Sequence, residues 1–159
     1  MHVTPTVVRE EYEWTRDRAP EVVDLINEVR SDLGEAFGRS PAPVSRADYL
    51  EAVDVVFADG DLAVNVAPLV AMLRDLDVDG DYPGFVVDEL LARELAGMIA
   101  GTQPLRLLGE ATFHYADVTV HVGETAGADD LYAALAAGFQ TRLPGWDWRE
   151  REDAFGVDG

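Results

Sequence analysis

Apolar residues recur at three- and four-residue steps through most of the chain, the period of helices that bury one face. The stretch 65–101 shows it best. Leu69, Val70, Leu73 and Leu76 form one stripe, and Val87, Leu90, Leu91, Leu95 and Met98 form a second. Between them lies the acidic turn 75–81, and Gly101 and Pro104 supply a stop. Two such stripes joined by a short polar turn can cover one another as an antiparallel pair. This pair is the expected hub of the fold.

Other helices are marked by their ends. Pro20 suits a first turn, where its missing N–H costs nothing. The stripe Val22, Val23, Ile26, Val29, Leu33, Phe37 follows, and Gly38 is a stop. Ser45, with Asp48 three residues on, has the spacing of a capping box ahead of Tyr49, Leu50, Val53, Val56 and Phe57. Asp59-Gly60 is also a hairpin signal, but the period of the preceding stripe favours helix, turn, helix. Pro68 belongs in a first turn. That places the next helix start at Asn65, with Leu62 to Val66 extended.

After Leu105 the period changes. Phe113 and Tyr115 share one parity and Val118, Val120 and Val122 the other. A two-residue turn at Ala116-Asp117 would bring both sets to one face of an antiparallel hairpin, with Leu105 to Leu108 available as a third strand. A last helix starts at Asp129 and carries Leu131, Tyr132, Leu135 and Phe139, with alanines between them that permit close packing. The expected class is therefore α+β and mainly helical: four to five helices around a central antiparallel helix pair, then a C-terminal β-hairpin followed by a helix. Residues 1–159 read as one domain, with 1–18 a lead-in and 146–159 a loose tail.

Charge changes the picture most. Twelve basic residues face 31 acidic ones, a net charge of −19, and every base is an arginine. In dilute buffer such a surface repels itself. In roughly molar salt the Debye length falls to about 3 Å and screens most of that repulsion. The composition thus predicts a salt-adapted cytoplasmic protein. It also argues against nucleic acid, since the arginines are scattered and a phosphate backbone needs a basic stripe. A winged helix would place residues 85–100 in a groove with Arg93 as their only base, so that reading ranks low. No apolar run approaches the ~20 residues of a membrane span. The start lacks the apolar block of a secretion signal, and the absence of cysteine removes disulfide and thiolate chemistry.

Three clusters carry candidate chemistry. Asp75, Asp77, Asp79 and Asp81 alternate, with Gly80 sixth from Asp75. This resembles the first half of an EF-hand calcium loop, which implies calcium or magnesium held by these carboxylates. The resemblance covers about seven residues, and the twelfth position is Val86 where the motif has glutamate. His114 and His121 would share the outer face of the hairpin as a zinc-type pair, with Glu110 or Asp117 the nearby carboxylates. Trp146 and Trp148 are candidate partner contacts. Ser31, Ser40 and Ser45 lie in no nucleophile motif, and paired carboxylates are too common to single one out. The expected function is a non-catalytic interaction or regulatory module that self-associates or binds a protein. The alternative is a divalent-metal-binding protein using the turn 75–81 or the histidine pair.

Overall fold

The computed structural model describes residues 2–76, 80–119 and 126–145. Four helices come first: α1 (Pro5–Asp17), α2 (Ala19–Phe37), α3 (Arg46–Ala58) and α4 (Gly60–Asp75). A continuous helical run follows, made of α5 (Asp81–Phe85), a π-helical segment π1 (Val86–Ala92) and α6 (Arg93–Ala100). The last two helices are α7 (Leu105–Thr119) and α8 (Ala126–Gln140). The described residues contain no strand, so the architecture is all-helical and the α+β expectation is overturned.

Several end signals act as the sequence implies. The Ser45 hydroxyl accepts from the Asp48 N–H at 3.1 Å, and the Asp48 carboxylate accepts from the Ser45 N–H at 3.1 Å, a closed capping box. Gly38 ends α2 in the left-handed region at φ 67°. Asp59 separates α3 from α4 and caps the latter by accepting from the Leu62 N–H at 3.2 Å. The reading of helix, turn, helix there matches the structure, but α4 begins at Gly60, not at Asn65. Pro68 therefore lies inside the helix, and residues 62–66 are helical, not extended. A proline there removes one backbone bond and crowds the preceding turn. Val66, Ala67, Val70 and Leu73, all fully buried, show the packing that holds the helix together across it.

The predicted hairpin is α7. Its buried positions are Leu108, Gly109, Thr112, Phe113 and Ala116, a helical stripe in which three residues are small. Counting only bulky β-branched and aromatic residues hides that stripe, because Tyr115 and Val118 face solvent. Thr112 and Thr119 are accommodated by donating their hydroxyls to the carbonyls one turn back, at 2.9 and 3.0 Å. Val120 and Val122 lie outside the described residues.

The hub also differs from expectation. Helices α4 and α6 do touch, but α8 packs against α2, α3, α4, π1, α6 and α7. Its alanines make this possible: Ala133, Ala134, Ala136 and Ala137 are buried beside Leu131, Leu135 and Phe139. Close approach is tightest at two glycines. A Cβ on Gly138 would lie 2.7 Å from Ile99 Cβ and 2.9 Å from the Ala96 carbonyl oxygen. One on Gly109 would lie 2.9 Å from Ala100 Cβ. Both values are below normal contact, so α6, α7 and α8 meet almost backbone to backbone. No single helix among the described residues is long and apolar enough to cross a membrane; α3 and α4 pass that test only together, and they are bent by 111° at their junction.

Candidate metal centre

The close packing of α6, α7 and α8 brings their flanking segments together around a group of carboxylates. Asp88 and Glu89 come from π1, His114 and Asp117 from α7, and Asp130 from α8. The π-helical segment sets the position of the first two. Its Arg93 N–H reaches back five residues to the Asp88 carbonyl. That inserts one residue relative to α-helical register, a rotation of about 100°. The buried sequence then runs Val87, Ala92, Leu95, Ala96, Ile99, with a five-residue first step, and Leu90 of the expected stripe is turned outward. On α7, His114 and Asp117 are three apart and share a face.

Two overlapping sets have ligand atoms all within 4.8 Å of one another: Asp88, Glu89 and His114, and Asp88, Asp117 and Asp130. Such spacing suits an ion bonded at about 2.0–2.4 Å to oxygen or imidazole nitrogen. Burial grades across the group. Asp130 is only 6% exposed, Asp88 and Asp117 are half-buried, and the His114 side chain stands at the rim, with Nδ1 3.4 Å from Glu89 Oε1.

The electrostatics are those of negative charge with little counter-charge at its buried end. Burial pushes the Asp130 carboxyl up to about 8, reinforced by its hydrogen bond with Asp117 and the charges of Asp117 and Asp88. Burial likewise raises Asp88 to about 6, with Asp117 and Glu89 adding to it and His114 opposing. Asp88 Oδ1 is out of contact with solvent and has no hydrogen-bond partner among the described residues. Most arginines with described contacts are engaged elsewhere: Arg16 with Asp54, Arg74 with Glu11, and Arg106 with Glu94 and Glu110. Arg93 reaches the rim, 3.9 Å from Glu89. Asp117 also lies in the last turn of α7, where the helix dipole adds negative potential. The cluster therefore has a place for positive charge, and protons or a cation can fill it.

Of the residues proposed from sequence, His114 is in this cluster, and Asp117, named beside it, is too. The geometry proposed for the histidine pair falls with the hairpin, and His121 lies outside the described residues. Asp75 is exposed, 3.8 Å from Arg74, and Asp81 opens α5 in solvent. Asp77, Asp79, Trp146 and Trp148 lie outside the described residues. Asp88, Glu89 and Asp130 are carboxylates among many, and no sequence pattern singles them out. The available signal was helical: once 105–119 is read as a helix, His114 and Asp117 fall on one face of it.

Fold and site together define an all-helical protein with a carboxylate–histidine cluster where three helical segments converge. The chain belongs to the family described as domain of unknown function DUF7984, whose model matches residues 1–159. No curated protein and no solved structure matches it.

Proposed function

We propose that this protein binds a divalent cation in the cluster formed by Asp88, Glu89, His114, Asp117 and Asp130. The observation that carries the reading is the meeting of Asp88, Asp117 and Asp130, from three separate helical segments, within 4.8 Å and with no arginine among them. Like carboxylates do not gather under burial without a charge or proton that offsets the desolvation cost. Oxygen donors with one imidazole suit magnesium or manganese, and zinc is the softer competitor. This takes up the alternative reading from sequence, divalent-metal binding, in preference to the interaction module, and moves it from the turn 75–81 to the helix junction.

Calorimetry with magnesium, manganese, calcium and zinc, in concentrated KCl that screens the surface carboxylates, tests it. Stoichiometric binding should survive in Asp77→Ala with Asp79→Ala and be lost in Asp117→Asn with Asp130→Asn. Binding that follows the turn variant, or no binding at all, would reject the assignment. The intended medium belongs to the same proposal: a net charge of −19 with arginine as the only base fits a salt-rich cytoplasm.

A second reading, the interaction module, has its own support. A cavity of about 640 Å³ opens between α1 and the α3–α4 junction, lined by Val3, Val8, Tyr12, Phe57, Ala63 and Val64 among others. Self-association through that face is its simplest form. Light scattering in high salt that shows a monomer at every concentration would count against it.

A further inference from the structure

We propose that the cavity between α2 and the linker 39–44 binds a small oxyanion, a phosphate or carboxylate group, beside the buried Arg30 guanidinium. The cavity measures about 440 Å³ and is lined by Arg30, Ser31 and Glu35 of α2 and by Arg39, Ser40 and Pro41 of the linker, among others. Arg30 is only 2% exposed. Its Nη1 donates to the Pro144 carbonyl at 2.6 Å, and its Nη2 to those of Gln140 and Leu143 at 2.7 and 3.2 Å. Carbonyl oxygens occupy these donors but bring no net charge. Nε is out of contact with solvent and has no hydrogen-bond partner among the described residues. No carboxylate pairs with the guanidinium there either. Burial brings Arg30 below its ordinary range, to about 10, against the opposing field of Asp48. A cation held so deep calls for an anion beside it. Elsewhere the chain supplies one itself: buried Glu11 meets Arg74 at 2.8 Å.

The cavity is built to offer what Arg30 lacks room for. Ser31 on α2 and Ser40 on the linker are exposed and add hydroxyl donors to its walls. The linker is held in place against α2. The Asn27 amide donates to the Val44 carbonyl at 3.2 Å and accepts from its N–H at 2.9 Å. Gly34 lets the linker lie close, since a Cβ there would come 2.7 Å from both the Arg39 carbonyl oxygen and Pro41 Cδ. The walls are thus set before a ligand arrives, which lowers the cost of binding. Charge selects the ligand. Two arginines, Arg30 and Arg39, line the cavity against one carboxylate, Glu35. The cavity beside α1 has the opposite balance, Arg9 against Glu13 and Asp54. In a chain with 31 acids and 12 bases, a cavity with more bases than acids runs against the composition. Because Arg30 is part of the wall, its field reaches an anion in the cavity through little water. This site shares no residue with the carboxylate cluster and does not depend on it.

Inorganic phosphate and, separately, succinate are the probes. The full chain in concentrated KCl is titrated with each by calorimetry and by ¹⁵N NMR of the arginine Nε–H groups. One saturable site should appear, with the Arg30 Nε–H resonance moving over the same concentrations. Saturation by phosphate alone supports a phosphate-ester ligand, and by succinate alone a carboxylate ligand. Ser31→Asp with Ser40→Asp alters two exposed positions, so the fold is kept while the walls turn negative. Binding should weaken about tenfold or more. Arg30→Gln, where circular dichroism shows it folded, should have the same effect. Asp117→Asn with Asp130→Asn should bind as wild type does. No binding of either probe, binding that survives in Ser31→Asp with Ser40→Asp, or binding that is lost in Asp117→Asn with Asp130→Asn would each overturn the proposal.

Discussion

Replacing Asp130 by asparagine offers the sharpest physical test of the cluster, because it removes one titration and keeps nearly the same shape. In the unfolded chain Asp130 loses its proton near the ordinary 3.8, whereas in the fold it holds the proton up to about 8. Between those values the native state binds more protons than the unfolded state, so stability falls as pH rises. The contribution is fully present below pH 3.8 and is lost as pH rises through 8. One extra bound proton corresponds to about 1.4 kcal/mol per pH unit, so three units, from pH 4 to pH 7, correspond to about 4 kcal/mol. Asparagine does not titrate, and subtracting its curve cancels the many surface carboxylates common to both proteins. Urea unfolding in concentrated KCl with chelator, at half-unit steps from pH 4 to pH 8, measures the difference. Wild type and Asp130→Asn should agree near pH 4 and diverge as pH rises, with the variant the more stable. Saturating Mn²⁺ should narrow the gap, because the cation takes the place of the proton and the variant has lost a ligand. A difference curve that stays flat across the range in chelator would show that Asp130 ionises freely in the fold, and the account of an uncompensated buried carboxyl would fail.

Other consequences are simpler. Gly138→Ala places a methyl 2.7 Å from Ile99 Cβ and should cost about 1–3 kcal/mol by overpacking, read as a fall in the urea midpoint at unchanged slope. Arg74 donates to Glu11 Oε1 and Oε2 at 2.8 and 2.9 Å, yet burial still lifts the Glu11 carboxyl above its ordinary range. Arg74→Ala leaves that carboxylate, 2% exposed, without its partner and should cost about 3–5 kcal/mol at pH 7; a variant as stable as wild type would mean that water or another base reaches Glu11. Circular dichroism at falling KCl should show helix loss as the Debye length passes about 10 Å near 0.1 M salt, and a fully native signal in near-pure water would contradict the charge argument.

Helix ends were the most legible part of the structure, because a cap is local. Ser45 with Asp48, and Gly38, each act within four residues of themselves, so reading them requires no knowledge of distant partners. The failures have distant causes. Pro68 is tolerated mid-helix only because α4 is packed along its length, which overrides a propensity cost of ~3 kcal/mol. Residues 105–119 contain enough valine, threonine and aromatic rings to read as strands. They are helical where Gly109, Thr112 and Ala116 give α7 a face that fits closely against its neighbours. The π-helical segment has no clear local signature, yet it turns Leu90 outward and rotates Asp88 and Glu89 relative to α6.

Composition alone settled the electrostatic character of the chain, since net charge and the choice of arginine over lysine do not depend on folding. Local pattern settled the bodies of α2, α3, α6 and α8, for each is marked by its own apolar stripe. The cluster was a matter for the tertiary structure. Asp88, Asp117 and Asp130 are 29 and 13 positions apart in the sequence, and among so many acids no spacing distinguishes them. They become one site because small residues let three helical segments approach closely, and carboxylates brought together under burial acquire a need for positive charge that none of them has alone.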